Sequence, residues 1–221
     1  KKLFLENDPA KYEYLKTCTA VKGINDVKDF QDMEKALNDL QFSNKERDGI
    51  YSCVSAILAF GNIKFEESGT SASKVSANTQ KYLKIACELM NIDNMANVSQ
   101  AFTTKLLKIR GQADTYTSLS PAQASASRDA LCKFLYGEMF NWIVQKINQS
   151  MTGNNNNNNN ASSAGQSRNT FEKKKFIGIL DIFGFEIFEE NSFEQLCINF
   201  TNEMLQQQFN TNTFKIEQIL Y

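Results

Sequence analysis

Histidine is missing from all 221 residues. That excludes Ser-His-Asp and Cys-His nucleophilic catalysis and most zinc sites, all of which use an imidazole. No run is long and apolar enough to cross a bilayer, and the first residues show no signal-peptide pattern. Charge of one sign is not in excess either. With 24 basic and 25 acidic side chains the net charge is −1, so no global basic field recruits nucleic acid or membrane. The five cysteines (Cys18, Cys53, Cys87, Cys132, Cys197) are scattered, and no pair has CxxC or metal-site spacing. They fit small buried apolar residues in a reducing cytosol. What is present is an ordinary globular balance, 42% apolar and 22% charged, in a length sufficient for one large domain or two small ones. The chain starts at Lys1 and ends at Tyr221 inside a helical pattern. Both features fit a piece of a longer polypeptide.

Helical periodicity dominates. Asp26 opens a pattern with Phe30, Met33 and Leu37 on one face. Ser43 and Glu46 have capping-box spacing, with Ile50, Val54, Ile57 and Leu58 as the stripe behind them and Gly61 placed to end the helix at C′. Ile63 and Phe65 alternate with Lys64 and Glu66, a short strand. Residues 68–79, SGTSASKVSANT, read as a surface loop. Tyr82, Leu83, Ala86, Leu89 and Met90 mark a further helix, and a short one starts near Ser99 and carries Phe102 and Leu106. Lys105 to Ser118 reads as irregular and polar after its first residues.

Ser120, Pro121 and Gln123 form a strong helix start. Leu131, Leu135, Met139, Ile143 and Ile147 recur every four residues, flanked by Phe134, Phe140 and Trp142. A helix from Pro121 to about Gln149 would be about 44 Å long, and its broad apolar face predicts a central, well-covered position. Residues 152–170, with seven consecutive asparagines from Asn154 to Asn160, read as a disordered surface insertion. Ser192 and Gln195 again have capping-box spacing, before a stripe of Phe193, Leu196, Cys197, Phe200 and Met204 and a helix that runs on past Phe209 and Phe214. Three regions result: residues 1–151, 152–170 and 171–221.

Between the last two helices lies FIGILDIFGFE. The apolar run Phe176–Leu180 reads as a strand buried on both faces. Ligands of open α/β sheets sit beyond the carboxyl ends of strands, where Asp181 stands. An Asp there suits Mg²⁺ on a nucleotide phosphate, and Gly184 lets a backbone N–H approach a phosphate oxygen. Glu186 repels phosphate and needs a cation, most simply an arginine, to form a latch. A turn that grips phosphate and feeds a helix is a switch. The same residues fit a plain turn equally well, with Asp181 capping, Gly184 supplying positive φ and Glu186 solvated.

DIFGFE followed by NSFEQLCINFTNE resembles switch II and the start of the relay helix of the myosin motor domain. SRDALCKFLYGEMFNWIVQKIN resembles the long helix before switch II, ILAFGNIKFEE the helix and strand before loop 4, and KYEYLKTCTAVKGINDVKDF the upper 50-kDa subdomain upstream. The resemblance implies a mainly α chain with a few strands, a fragment of the P-loop NTPase-type α/β myosin head. It implies Asp181 in the outer sphere of Mg²⁺, and Ile182, Phe183 and Gly184 beside the nucleotide. Gly184 would donate to the γ-phosphate, and Glu186 would pair with a switch I arginine and order the attacking water. Asn202, Glu203 and Phe209 would be relay residues. Lys105 to Ser118, with Lys105, Lys108, Arg110, Ala113 and Asp114, corresponds to the actin-facing cardiomyopathy loop, and residues 68–79 to loop 4.

The resemblance further implies actin filaments, the rest of the head and light chains as partners. ATP and Mg would be cofactors of the complete motor, in the cytoplasm on the actin cytoskeleton, with nothing bound by this chain alone. The sequence also departs from the family. It contains no GxxxxGK[ST] and no switch I motif. Relay helices usually read NEKLQQFFNHH where this chain has NEMLQQQFNTN, so Met204, Gln208, Thr211 and Asn212 differ. Ala113 stands where many myosins carry an acidic or phosphorylatable residue. The alternative expectation is a truncated or degenerate myosin-like protein without its own ATPase, at most a partner-binding module.

Overall fold

The computed structural model describes residues 2–69, 71–107, 115–152, 184–216 and 218. Chain contacts divide into two units, Lys1–Asn160 and Ala161–Tyr221. The architecture is helical with two small antiparallel hairpins. The Phe176–Leu180 strand and the asparagine tract lie outside the described residues.

In the first unit, α1 (Asp26–Asp39) starts at Asn25, whose side chain accepts from the Lys28 N–H. Of its expected stripe only Leu37 is buried, while Phe30 and Met33 stay exposed. The helix meets the next one through polar groups beside the Phe30–Tyr51 ring contact: Glu34 accepts from Arg47 at 3.2 Å and from the Tyr51 hydroxyl. Helix α2 (Asn44–Gly61) begins with the predicted capping box. Ser43 N–H donates to Glu46 Oε2 at 2.8 Å, and Glu46 N–H donates to Ser43 Oγ at 3.3 Å. Glu46 also pairs with Lys146 of the long helix at 2.8 Å, which together with the cap holds its carboxyl down at about 2.

The buried face of α2 is not the predicted aliphatic one. Ser52, Ser55, Ala56, Ala59 and Phe60 point inward with Ile57, and Val54 and Leu58 are only half-buried. Small side chains let the neighbouring helices approach closely, and Phe60 then fills the space. Around α2 lie α3 (Gln80–Met90), α4 (Met95–Thr103) and α5 (Pro121–Thr152). They contribute Leu83, Ala86, Leu89, Phe102 and Cys132 to one core. Phe60 and Phe102 meet edge-to-face, centroids 5.7 Å apart. Helix α4 begins a full turn ahead of the predicted start near Ser99, because the Asn94 side chain caps Asn97 N–H at 3.1 Å.

Both segments expected to be loop or irregular contain strands. β1 (Phe65–Glu67) pairs with β2 (Ser73–Val75), opposing Phe65 to Val75 and Glu66 to Lys74. The tight connection is made possible by Gly69 and Ser71, both at positive φ. β3 (Thr104–Leu107) pairs with β4 (Thr115–Ser118), so Leu106 lies on a strand rather than a helix. Cross-strand contact between β-branched and aromatic residues outweighs the local polarity of both segments.

Helix α5 starts as predicted: Ser120 N–H donates to Gln123 Oε1 at 3.0 Å, and Gln123 N–H to Ser120 Oγ at 3.4 Å. It runs slightly further than expected, to Thr152. Its cover is one-sided. Ala124, Arg128 and Cys132 are buried, whereas Phe134, Tyr136, Phe140 and Trp142 are exposed, so the expected central position is corrected. Trp142 keeps one contact, edge-to-face with the buried Phe42, centroids 6.0 Å apart.

Gly61 does not act as a C′ residue either. It is the last residue of α2, followed by Asn62 at an α-helical φ of −82°. Its role is room: a Cβ there would sit 2.7 Å from the Tyr14 ring. Tyr14 belongs to an N-terminal strap held by Asn62, which accepts from Glu13 N–H at 2.8 Å and donates to Lys11 C=O at 2.9 Å. The Tyr14 hydroxyl donates to Asp129, and partial burial with that carboxylate raises its pKa well above the usual tyrosine value. Asp129 is held in turn by Arg128, whose guanidinium is buried and also donates to Ile63 C=O.

An Ala at position 61 gains about 1 kcal/mol of helix propensity but overpacks the ring, at about 1–3 kcal/mol. Gly61→Ala is therefore expected to destabilise the chain and to become stabilising in a Tyr14→Ala background. Urea unfolding of the two single variants and the double variant checks this sign reversal.

Candidate functional site

Two of the predicted switch residues, Gly184 and Glu186, are described, in the second unit. Asp181, Ile182 and Phe183 lie outside the described residues, as do Lys108, Arg110, Ala113 and Asp114. Lys105 is exposed on β3.

The turn at 184–191 is bound by one helix, α6 (Phe193–Asn210). Ser192 caps that helix, accepting from Gln195 N–H at 3.4 Å. Three amides then project from one face at i, i+4 and i+7. Gln195 Nε2 donates to Glu186 Oε2 at 3.0 Å. Asn199 grips the Glu186 backbone twice, Oδ1 accepting from its N–H at 2.9 Å and Nδ2 donating to its C=O at 2.7 Å. Asn202 Nδ2 donates to Gly184 C=O at 2.9 Å. Asn191 closes the far end of the turn, accepting from Phe188 N–H at 3.1 Å and donating to Phe188 C=O at 2.7 Å.

This reverses the expected orientation of α6. Its buried residues are the polar Gln195 and Asn199, while Phe193, Leu196, Phe200 and Met204 are exposed. The turn presents backbone N–H and C=O groups that need partners, and a side-chain amide supplies both an acceptor and a donor. Of the three amides, the family resemblance singles out Asn202 alone. Gln195 reads in the sequence only as a cap position, and Asn199 carries no role there. The signal that could have found them is the Gln-x-x-x-Asn-x-x-Asn spacing on a single helical face. Glu203 and Phe209, also expected on the relay, are exposed. Gln208 Nε2 donates to Asn212 Oδ1 at 3.3 Å, so two of the departing positions bond to each other where α6 passes into a π-helical turn, Thr211–Ile216.

The chemistry open to this arrangement is mechanical and electrostatic. Displacing Gly184 or Glu186 pulls on α6 through four hydrogen bonds to side-chain amides. Around Gly184 a Cβ would meet nothing within 4 Å, which leaves room for an anion to come close to the backbone. Among the described residues no group of His, Cys, Asp and Glu could by itself hold a metal ion, and no helix is long and apolar enough to cross a membrane.

All 221 residues match the family model of the myosin head (motor domain). The chain is 39% identical over 220 residues to the high molecular weight form of myosin-1 of Acanthamoeba castellanii, a match covering 96% of this chain and 13% of that protein. It is 40% identical over 225 residues to myosin-6 of Arabidopsis thaliana, covering 100% of this chain and 14% of that one. With unconventional myosin-Ib of Rattus norvegicus it shares 38% over 225 residues, covering 100% and 18%. The chain thus spans less than a fifth of the length of these relatives.

Proposed function

The chain belongs to the myosin head (motor domain) family, and we propose that it is the nucleotide-sensing part of an actin-based motor that couples ATP binding and hydrolysis to movement. The observation that carries this reading is the amide clamp, which ties Gly184 and Glu186 to three positions on α6. A turn so held reports its own position to the helix.

In the complete motor, Asp181 would help to hold Mg²⁺, and Ile182, Phe183 and Gly184 would help to hold the nucleotide. The bound ATP supplies the γ-phosphoryl group whose charge the turn senses. Gly184 offers its N–H, and the open space at its α-carbon supports that approach. Glu186 pairs with an arginine from another part of the head and helps to order water. Asn202, Glu203 and Phe209 pass the turn's state along the relay helix. Lys105, Lys108, Arg110, Ala113 and Asp114, with the β1–β2 hairpin, face an actin filament. Light chains and the rest of the head are the remaining partners, and the site of action is the cytoplasmic actin cytoskeleton.

A head in which these 221 residues replace the matching segment of the Acanthamoeba relative tests the reading. Phosphate release stimulated by actin is expected from that chimaera, and none above background from the 221 residues alone. Switch II by itself lacks the lysine, metal ligands and backbone cradle that stabilise phosphoryl transfer. A folded chimaera without stimulated release would overturn the reading in favour of a myosin-like chain with no ATPase of its own, at most a partner-binding module.

A further inference from the structure

We infer that Gln195 is a positioning residue for the Glu186 carboxylate, holding one oxygen so that the other remains available to a cation. This rests on the reading of Glu186 as a charged latch. The geometry is specific. Gln195 is only 9% exposed on a helix whose neighbouring Phe193 and Leu196 are 76% and 63% exposed. A buried carboxamide is retained only where its donors are used, since an unmet one costs about 1–3 kcal/mol. Its Nε2 has two acceptors, Glu186 Oε2 at 3.0 Å and Asn199 Oδ1 at 3.5 Å. The first is the shorter and is charge-assisted, so Glu186 is the principal partner.

Asn199 meanwhile fixes the backbone of residue 186 from both sides. With the main chain held, what remains free is rotation of the Glu186 side chain, and the Gln195 amide selects among its rotamers. A carboxylate has two oxygens and about four acceptor sites, so one neutral donor leaves capacity for a guanidinium. Gln195 adds no charge of its own. It orients the latch without satisfying it, and the entropy of orienting the side chain is lost before the arginine arrives. The charged residues within eight positions of Glu186 are all carboxylates: Asp181, Glu189, Glu190 and Glu194. None of them substitutes for the cation.

The side-chain amide of Gln195 reports the contact directly. In ¹H–¹⁵N spectra of the full chain, its Hε2 resonances are expected away from their unstructured-peptide position, displaced by the Glu186 carboxylate. That displacement should shrink in Glu186→Gln, which removes the charge, and persist in Glu189→Gln and Glu190→Gln. Gln195→Asn, one methylene shorter, should abolish the contact while keeping the amide. In a complete head, Gln195→Leu should slow the hydrolysis step about tenfold or more, because a misplaced group loses near-attack geometry, without a matching loss of nucleotide affinity. A Gln195 amide at its unstructured-peptide position, or one indifferent to Glu186→Gln, overturns the positioning role and leaves the latch standing. Unchanged hydrolysis in Glu186→Ala overturns the latch and leaves the Gln195 contact standing.

Discussion

Replacing Glu186 by alanine in a complete head that carries this segment is expected to slow ATP hydrolysis by about 100-fold or more, the effect of removing one preorganised electrostatic group. Nucleotide affinity should stay within about threefold, because the carboxylate acts through closure of the turn rather than by touching phosphate. Two anions do not attract, so the Glu186 side chain has no favourable contact with the nucleotide to lose. The substitution is also structurally mild. The N–H and C=O of residue 186 are held by Asn199, which alanine does not disturb. Only the Gln195 contact goes. A loss of about 100-fold corresponds to about 2.7 kcal/mol of transition-state stabilisation. Quench-flow single turnovers, alongside titration with a fluorescent nucleotide, separate the two quantities. Loss of rate with binding retained is the pattern of an interaction made only on the way to the transition state. A parallel loss of affinity would place Glu186 among the groups that bind nucleotide instead.

The largest expected effect on stability comes from Phe60→Ala, at about 3–5 kcal/mol. Phe60 is 1% exposed and meets Phe102 edge-to-face. The neighbours that would have to collapse into the cavity include Ala56, Ala59 and Ala86, all buried. They have no rotamers with which to reach into it, which puts the cost at the upper end of the range. Against a typical domain stability of about 5–15 kcal/mol this is a large share. Phe30→Ala provides the contrast. Phe30 is 51% exposed and touches Tyr51 with centroids 5.8 Å apart, so its removal should cost no more than about 1 kcal/mol. Urea-unfolding midpoints of the two variants check the difference. Equal shifts would mean that the α1 stripe is as deeply packed as the α2 core.

The helix starts at Asp26, Asn44, Pro121 and Phe193 are legible in the sequence. Each depends on bonds that close between residues three apart: Asn25 to Lys28, Ser43 to Glu46, Ser120 to Gln123 and Ser192 to Gln195. Family membership is legible for a different reason. DIFGFE and the helix after it, together with the upstream segments, match over the whole length, which no single short motif could supply.

Faces, strands and clamps are not legible, and the reason is common to them. In α2 the aliphatic stripe is half-buried and the small residues are innermost, because the depth of burial is set by how closely α3 and α5 approach. Gly61 reads as a helix stop until the Tyr14 ring, remote in the chain, is seen against it. Within the segments 68–79 and 105–118, residues 73–75, 105–107 and 115–118 are strand because each finds a partner strand. Gln195 and Asn199 are ordinary helix residues until the Glu186 turn is laid on them. The sequence alone specifies whatever has a local energy, namely caps and helical periods. Packing in three dimensions sets what each of these touches, since burial and hydrogen-bond satisfaction belong to pairs of surfaces and not to either one alone.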